Sequence, residues 1–440
     1  MKIPGIKGFD EEAFGKYVKN TGWLMFGKIL SMVVGFITAR YLGPYAFGDL
    51  SFADAFTTIV AAVGALGLDS FIIRELISEP EKRDEILGTS LLLRLGVNAL
   101  LIPLTVLIYL FFHHYSDKPG NPLTWVVLIL AFASFFKSFN VIDSYFQSQV
   151  SSKYVVQVQN VCIMISAAVK VALVALGLPV IWFAVALTLD SILLAVGLTL
   201  MYRKRGLQLF TWSFSKTRAI GLLQKSAPLI LSAVMVSIYM KIDQVMLKPV
   251  GSNEVGIYSA AVKISEAWYF IPVAIVTSVF PAIIHARKTD HPRYIKRLGN
   301  LYDLLVLISL PAAIFISFFG TDLIHLIYQN KFNGAGTMLS IHIWSGIFVF
   351  LGSASSQFLL AEGYTSISFQ RTAFGAVVNI LLNLWLIPLY GGVGASVATL
   401  IACFVSAFYL LFILKTRQQG IMMLKSLFLV SIIQKSQNVE

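Results

Sequence analysis

The side chains of this sequence with the most chemical potential are ionisable groups set inside long apolar runs. The cations are Lys28, Arg94, Lys137, Lys170, Lys241 and Lys263, and the carboxylates are Asp54, Asp190, Asp243 and Glu266. A charged group in hydrocarbon is expensive, so it faces a bundle interior or a watery cavity and marks a pathway for substrate or ions. A set of buried cations suits an anionic headgroup such as a pyrophosphate, which Arg grips in bidentate fashion and Lys attracts as a point charge. At 1.5 Å per helical residue, Lys28, Arg94 and Lys137 fall roughly 9 to 14 Å from one edge of their spans, and Lys170, Lys241 and Lys263 at comparable depth from the other. Together they form a cationic ladder. The carboxylates suit the uptake and release of a coupling H+ or Na+, unless each simply neutralises a cation; Lys263 and Glu266, three apart, share a helix face. Tyr258, Trp268 and Tyr269 offer rings that either stack on sugars or serve as packing and interfacial anchors.

These groups must be positioned by helices that cross a membrane. Twelve stretches approach the roughly 20 apolar residues a crossing needs: 23–41, 47–68, 87–112, 123–146, 155–176, 180–202, 227–248, 255–284, 301–319, 339–361, 372–389 and 393–414. With the N-terminus in the cytoplasm, 24 of the 34 Lys and Arg fall in inside segments, and the outside loops hold only Lys118 and Lys331, with Lys248 nearby. That asymmetry is the positive-inside pattern. It places both termini in the cytoplasm and checks the count, because one span missed or invented would scatter the basic loops over both faces. Composition agrees: 57% hydrophobic and 13% charged residues with a mean hydropathy of +0.78 describe an integral membrane protein.

Several function classes drop out. The +12 charge sits in short loops such as Arg203–Lys204–Arg205, where it orients the chain against an anionic leaflet, so nucleic acid is not an expected partner. No phosphate-cradling G-x-x-x-x-G-K-[ST] motif occurs, so no nucleotide is expected and uphill transport would draw on an ion gradient. The outside loops are short and hold no paired carboxylates for glycosyl chemistry. No His, Cys, Asp and Glu cluster has metal-ligand spacing, and no cofactor is expected. Cys162 and Cys403 each lie in an apolar span, which argues against a disulfide. Asp10, Glu11 and Glu12, without a small-residue cleavage site, argue against a removable signal peptide. These features predict a transporter rather than an enzyme.

The chain also repeats itself. Aligned without gaps, 42–56 and 250–264 share Gly43 with Gly251, Gly48 with Gly256, Ser51 with Ser259 and Ala53 with Ala261. Each segment is the turn between the first and second helix of a half. Six crossings per half make the repeat parallel, with an axis along the membrane normal and a substrate path between the lobes. The expected organisation is a cytoplasmic segment 1–22, an N-lobe 23–202, a basic linker 203–226, a C-lobe 227–414 and a cytoplasmic tail 415–440 with an amphipathic stretch, 424–433. Pro103, Pro272 and Pro311 interrupt apolar spans, and Pro272 is expected to break or kink the long eighth one.

The strings ARYLGPYAFGDLSFADAF from Ala39, LGLDSFIIREL from Leu66, KIDQVML from Lys241, YSAAVKISEAWYFIPVAI from Tyr258 and FVFLGSASSQFLLAEG from Phe348 carry a resemblance over most of the chain. It resembles the bacterial polysaccharide-repeat flippases, the O-antigen and capsule translocases, which belong with the multidrug and toxin extruders. The resemblance implies an all-α, V-shaped pair of six-helix lobes around a central cavity in the bacterial cytoplasmic membrane. It implies ion-driven alternating access that carries an undecaprenyl-pyrophosphate-linked oligosaccharide from the inner to the outer leaflet, with membrane lipids and other polysaccharide-assembly proteins as partners. Lys241 and Lys263 lie in such strings and rank first as substrate contacts; Asp69, Arg74 and Glu362 lie near helix ends as structural latches. A drug or metabolite exporter, with a smaller and more acid-lined cavity, and a non-transporting scaffold are the alternatives.

Overall fold

The computed structural model describes residues 11–113 and 122–430; Lys118, the first ten residues and the end of the 424–433 stretch lie outside the described residues. Fifteen α-helices follow one another, joined in places by short 3-10 turns: α1 (Glu11–Gly64), α2 (Asp69–Ser78), α3 (Arg83–His113), α4 (Leu123–Lys137), α5 (Val141–Ser148), α6 (Lys153–Ala175), α7 (Val180–Lys204), α8 (Lys216–Met246), α9 (Ser252–Glu266), α10 (Phe270–Thr289), α11 (His291–Tyr328), α12 (Ala335–His342), α13 (Ser345–Ala361), α14 (Thr365–Phe408) and α15 (Arg417–Leu427). No strand occurs among the described residues. Helix is what hydrocarbon demands, since it satisfies each backbone N–H and C=O within the segment.

Ten helical stretches among the described residues are long and apolar enough to cross a membrane, and two of them, Phe26–Ser78 and Thr365–Phe412, are 53 and 48 residues long. Each of these two holds a pair of crossings, which restores the expected twelve. In α1 the bend is at Gly43 (φ 72°), with Pro44 opening the next helix, and in α14 it is at Gly391 (φ 56°), three residues after Pro388. Glycine adopts positive φ without the Cβ clash that other residues meet. Pro44, at the start of the continuing helix, gives up an N–H that has no helical partner there. The long eighth span breaks between α9 and α10, with Pro272 in the first turn of α10 where its missing N–H costs nothing. Pro103 and Pro311 instead sit inside continuous helices, α3 and α11.

The chain forms two compact units. One holds the chain up to Thr38 together with Val60–Leu231; the other holds Ala39–Ile59 and everything from Ser232 onward. The sequence boundary at 203–226 leaves Ala39–Ile59 in the first lobe, whereas in the structure this segment groups with the second unit. Two observations within that unit give the reason. A Cβ on Gly48 would fall on the backbone of Ser252, and one on Gly256 would fall on the carbonyl of Pro44, so the two repeat-related helix starts touch backbone to backbone. Beside them Lys248 Nζ donates to Asp49 Oδ1 at 2.7 Å and to Ser252 Oγ at 2.6 Å, and Ser252 Oγ donates to Asp49 at 2.6 Å.

The core of the first unit joins Ile72 and Leu76 of α2 with Leu87 of α3, Val141, Ile142 and Phe146 of α5, and Leu198 and Tyr202 of α7. The basic linker is docked onto this core. Trp212 Nε1 donates to the Tyr202 hydroxyl, the Ser213 N–H donates to the Asp84 carbonyl, and the Ser215 N–H donates to Thr89 Oγ1. Arg218, at the start of α8, then donates to three carboxylates, Glu75, Glu79 and Glu85, at 2.8 to 3.0 Å. In the second unit, α15 lies against α11, where Gln419 donates to the Tyr302 hydroxyl and Ser426 to Asp303.

The hydrogen bond from Arg218, assisted by Lys82, holds the Glu79 carboxyl below its usual range. A carboxylate with a lowered folded-state pKa stabilises the fold at neutral pH, and that contribution is lost as the pH falls through the lowered value. Arg218→Ala is therefore expected to lower the apparent melting temperature by about 5 °C at neutral pH, with the gap to the parent narrowing on acidification, as thermal unfolding in detergent will show.

Candidate functional site

Of the sequence-predicted charges of the second unit, Asp243 and Glu266 line one cavity. Asp243 lies on α8 at 4% exposure, held in an apolar helix whose partners supply all its hydrogen bonds. Tyr258 of α9 donates its hydroxyl to Oδ2 at 2.7 Å; Thr399 Oγ1 also donates to Oδ2 and Asn383 Nδ2 to Oδ1, both from α14. Among the described residues no Lys or Arg makes an ion pair with it. Asn379 completes the group by accepting from Asn383 at 3.1 Å, four residues and one helical turn away. Asn383 Oδ1, buried on the same cluster, has no hydrogen-bond partner.

A cavity of about 20 Å³ adjoins the carboxylate, lined by Tyr239, Asp243, Tyr258, Glu266, His342 and Thr399. Roughly 10 to 15 Å³ suffices for one water-sized occupant. Glu266 brings a second carboxyl to this wall, and the charge of Lys241 acts on it. His342 is 3% exposed, with Nδ1 2.8 Å from Ser265 Oγ. A buried carboxylate without a cationic partner is stabilised by taking a positive species, a proton or a small cation. The cavity, the orphan amide oxygen and the Thr399 hydroxyl present oxygen donors for either.

The structure therefore brings together Lys241, Asp243, Glu266, Tyr258 and Tyr269. Lys263, on the same helix as Tyr258, stands over the Phe47 ring at 5.4 Å. Asp54 is half-buried in the same unit. The stacking aromatics are corrected in part: the Tyr258 ring is 1% exposed, because its hydroxyl turns inward to Asp243 and leaves no open face for a sugar. Trp268 packs on Phe350 at 4.9 Å, and the Tyr269 hydroxyl meets Ser345 at 3.3 Å.

The other expected cations belong to the first unit, and the ladder there is corrected by pairing. Arg94 is 2% exposed and donates to Asp69 at 2.8 Å, and Lys170 donates to Asp190 at 2.6 Å. Lys28 and Lys137 are exposed. Asp69 accepts from Arg94, and Glu362 accepts from Arg287 and Tyr294, while Arg74 is exposed. Asn379, Asn383, Thr399, His342 and Tyr239 were not singled out from sequence. The signal available for them was two amides four apart in an apolar span, the spacing that puts both on one helix face.

Twelve crossings that bury carboxylates and cations among them define a multi-pass membrane protein. Residues 17–287 match the family model described as polysaccharide biosynthesis protein, and residues 228–385 match the MatE model. The chain is 27% identical over 157 residues to the probable flippase AglR of Haloferax volcanii, a match covering 35% of this chain and 33% of that protein, so it spans about a third of that relative. It is 26% identical over 401 residues to the uncharacterized membrane protein MJ1375 of Methanocaldococcus jannaschii, covering 86% of this chain and 92% of that one. The fold is similar to the lipid II flippase MurJ, with a TM-score of 0.75 at 18% identity over 95% of this chain and 93% of that one. It is also similar to an inward-facing MATE multidrug transporter of the MOP superfamily, with a TM-score of 0.62 at 17% identity over 93% and 96%. The chain belongs to the polysaccharide biosynthesis protein family.

The hydrogen bonds to Asp243 should register in stability. Asn383→Leu strips Oδ1 of its donor and leaves a buried carboxylate oxygen unmet, at a cost of about 2 kcal/mol. The expected result is a lower melting temperature for Asn383→Leu than for Asn383→Gln, which keeps an amide N–H near the carboxylate.

Proposed function

We propose that this protein is a flippase for lipid-linked glycans, carrying an oligosaccharide on a polyprenyl pyrophosphate, the undecaprenyl form in a bacterial host, from the inner to the outer leaflet of the cytoplasmic membrane. The observation that carries the reading is the family match over 17–287 in a twelve-crossing chain with buried charge. The name of its relative AglR points the same way. Lys241 and Lys263 are the cations we assign to the anionic headgroup. In a strain of the source organism lacking this protein, surface glycan should fall steeply while completed lipid-linked oligosaccharide accumulates on the inner leaflet, and the intact chain should reverse both. Unchanged glycan with increased sensitivity to cationic drugs would overturn this reading in favour of small-solute export, which the MatE match over 228–385 supports as the second reading.

The driving force we propose is a cation gradient read by Asp243, with Na+ or H+ as the coupling ion. The support is the hydrogen-bonded carboxylate without a cationic partner, the water-sized cavity beside it and the unsatisfied oxygen of Asn383. A cation that binds the folded protein alone stabilises it by about 2.7 kcal/mol at a hundredfold excess over its dissociation constant. Melting of the purified protein should therefore rise in sodium chloride relative to choline chloride if the ion is Na+, or shift with pH alone if it is a proton. Asp243→Asn should abolish the response and the glycan export while the protein still folds. A wild-type protein indifferent to both sodium and pH would remove Asp243 from the coupling role.

A further inference from the structure

The first unit contains a cavity of about 290 Å³ among α1, α6 and α7 that the pairing of its charges leaves without an assigned role. At one wall Lys170 of α6 donates to Asp190 of α7 at 2.6 Å, with the two side chains 15% and 34% exposed, so the pair is reachable from the cavity. The second carboxylate oxygen, Asp190 Oδ1, is buried and has no hydrogen-bond partner. Gln159 and Ser166 add an amide and a hydroxyl to the lining, and Leu194 an apolar surface.

The chemistry of this wall selects its ligand. Lys170 and Asp190 neutralise each other, so the cavity offers neither the net positive charge that would hold a phosphate nor the free negative charge that would hold a cation. It offers hydrogen bonds of both kinds instead. The ammonium group has three protons, of which Asp190 takes one; Gln159 both donates and accepts, and the exposed part of the Asp190 carboxylate can only accept. A lipid chain would bring no hydroxyl to these groups. In volume the cavity lies at the lower edge of the roughly 300 to 1,000 Å³ typical of ligand pockets, which is room for one ring and not for a whole oligosaccharide.

We propose that this cavity is a sugar subsite that takes a single neutral pyranose ring of the glycan. Hydroxyls of the ring donate to the exposed part of the Asp190 carboxylate and to Gln159 and accept from Lys170 and Ser166, and a C–H face of the ring lies on Leu194. The proposal rests on the lipid-linked glycan reading for the identity of the ligand. It gives Lys170 and Asp190 a joint task, recognition of hydroxyls, in place of headgroup binding by one and ion coupling by the other.

Cys162 lines the same cavity and reports on it. The chain has two cysteines, so full-length protein carrying Cys403→Ser, reconstituted in lipid nanodiscs, has a single thiol whose reaction with N-ethylmaleimide can be timed. A panel of free hexoses and N-acetylhexosamines is added in turn, with glycerol and inorganic pyrophosphate as comparisons. At least one sugar should slow labelling several-fold and saturably, while glycerol and pyrophosphate leave the rate unchanged. Lys170→Gln combined with Asp190→Asn removes both charges together, so no buried ion is stranded. This protein should melt like the parent, label at the unprotected rate and lose the protection. The subsite is overturned if no sugar protects, if pyrophosphate protects, or if the double variant is protected as well as the parent. Loss of the subsite with glycan export intact in the deletion strain leaves the flippase reading standing. Sugar protection without any export phenotype removes the flippase reading and leaves the sugar site.

Discussion

In hydrocarbon a charge must find its partner inside the protein, and this constraint shapes the chain from its spans to its sites. Water and counterions that screen a surface charge are absent at membrane depth, and the penalty for an isolated ion is several kcal/mol. Arg94 and Lys170 satisfy the constraint with carboxylates from other helices, Asp69 and Asp190. Those pairs also fix helix against helix, because a hydrogen bond near 2.8 Å leaves little freedom for either backbone to slide. Asp243 satisfies it differently, with three neutral donors and no cation. The first solution is finished in itself. The second is open to one more positive species, and that openness sets Asp243 apart from Asp69 and Asp190.

Most of the fold was legible in the sequence because hydropathy and basic-residue placement are sums over many residues. The twelve crossings follow from that sum, and the two that run together in α1 and α14 are separated by Gly43 and Gly391, whose positive φ a hydropathy pattern does not encode. The site was legible only as a set of charges. Which charge meets which depends on rotations of helices far apart in sequence, so the ladder of cations could not be resolved into Arg94 with Asp69 and Lys170 with Asp190. The neutral half of the Asp243 cluster was missed for another reason. Asn383 and Thr399 are common residue types, and their importance lies in facing a carboxylate more than a hundred residues distant. Asn379 and Asn383, one turn apart in an apolar helix, were the visible trace.

Loops show the same division between what composition reveals and what contacts decide. The basic linker at 203–226 reads from the sequence as an orienting charge cluster. Its centre is nonetheless a structural element, with Trp212 on Tyr202, two backbone N–H groups capped by α3, and Arg218 shared among three glutamates. The cations that declare topology thus include one that fastens the start of α8.

The contact between Gly48 and Gly256 joins two similar stretches, 42–56 and 250–264, in which these glycines hold matching positions. Here each stretch's glycine is pressed against the backbone of the other stretch, against Ser252 in one direction and Pro44 in the other. A larger side chain gained by either stretch has no smaller one to be traded for on the opposite side, since backbone atoms cannot be pared down. Enlargement at this place is therefore barred to both stretches at once.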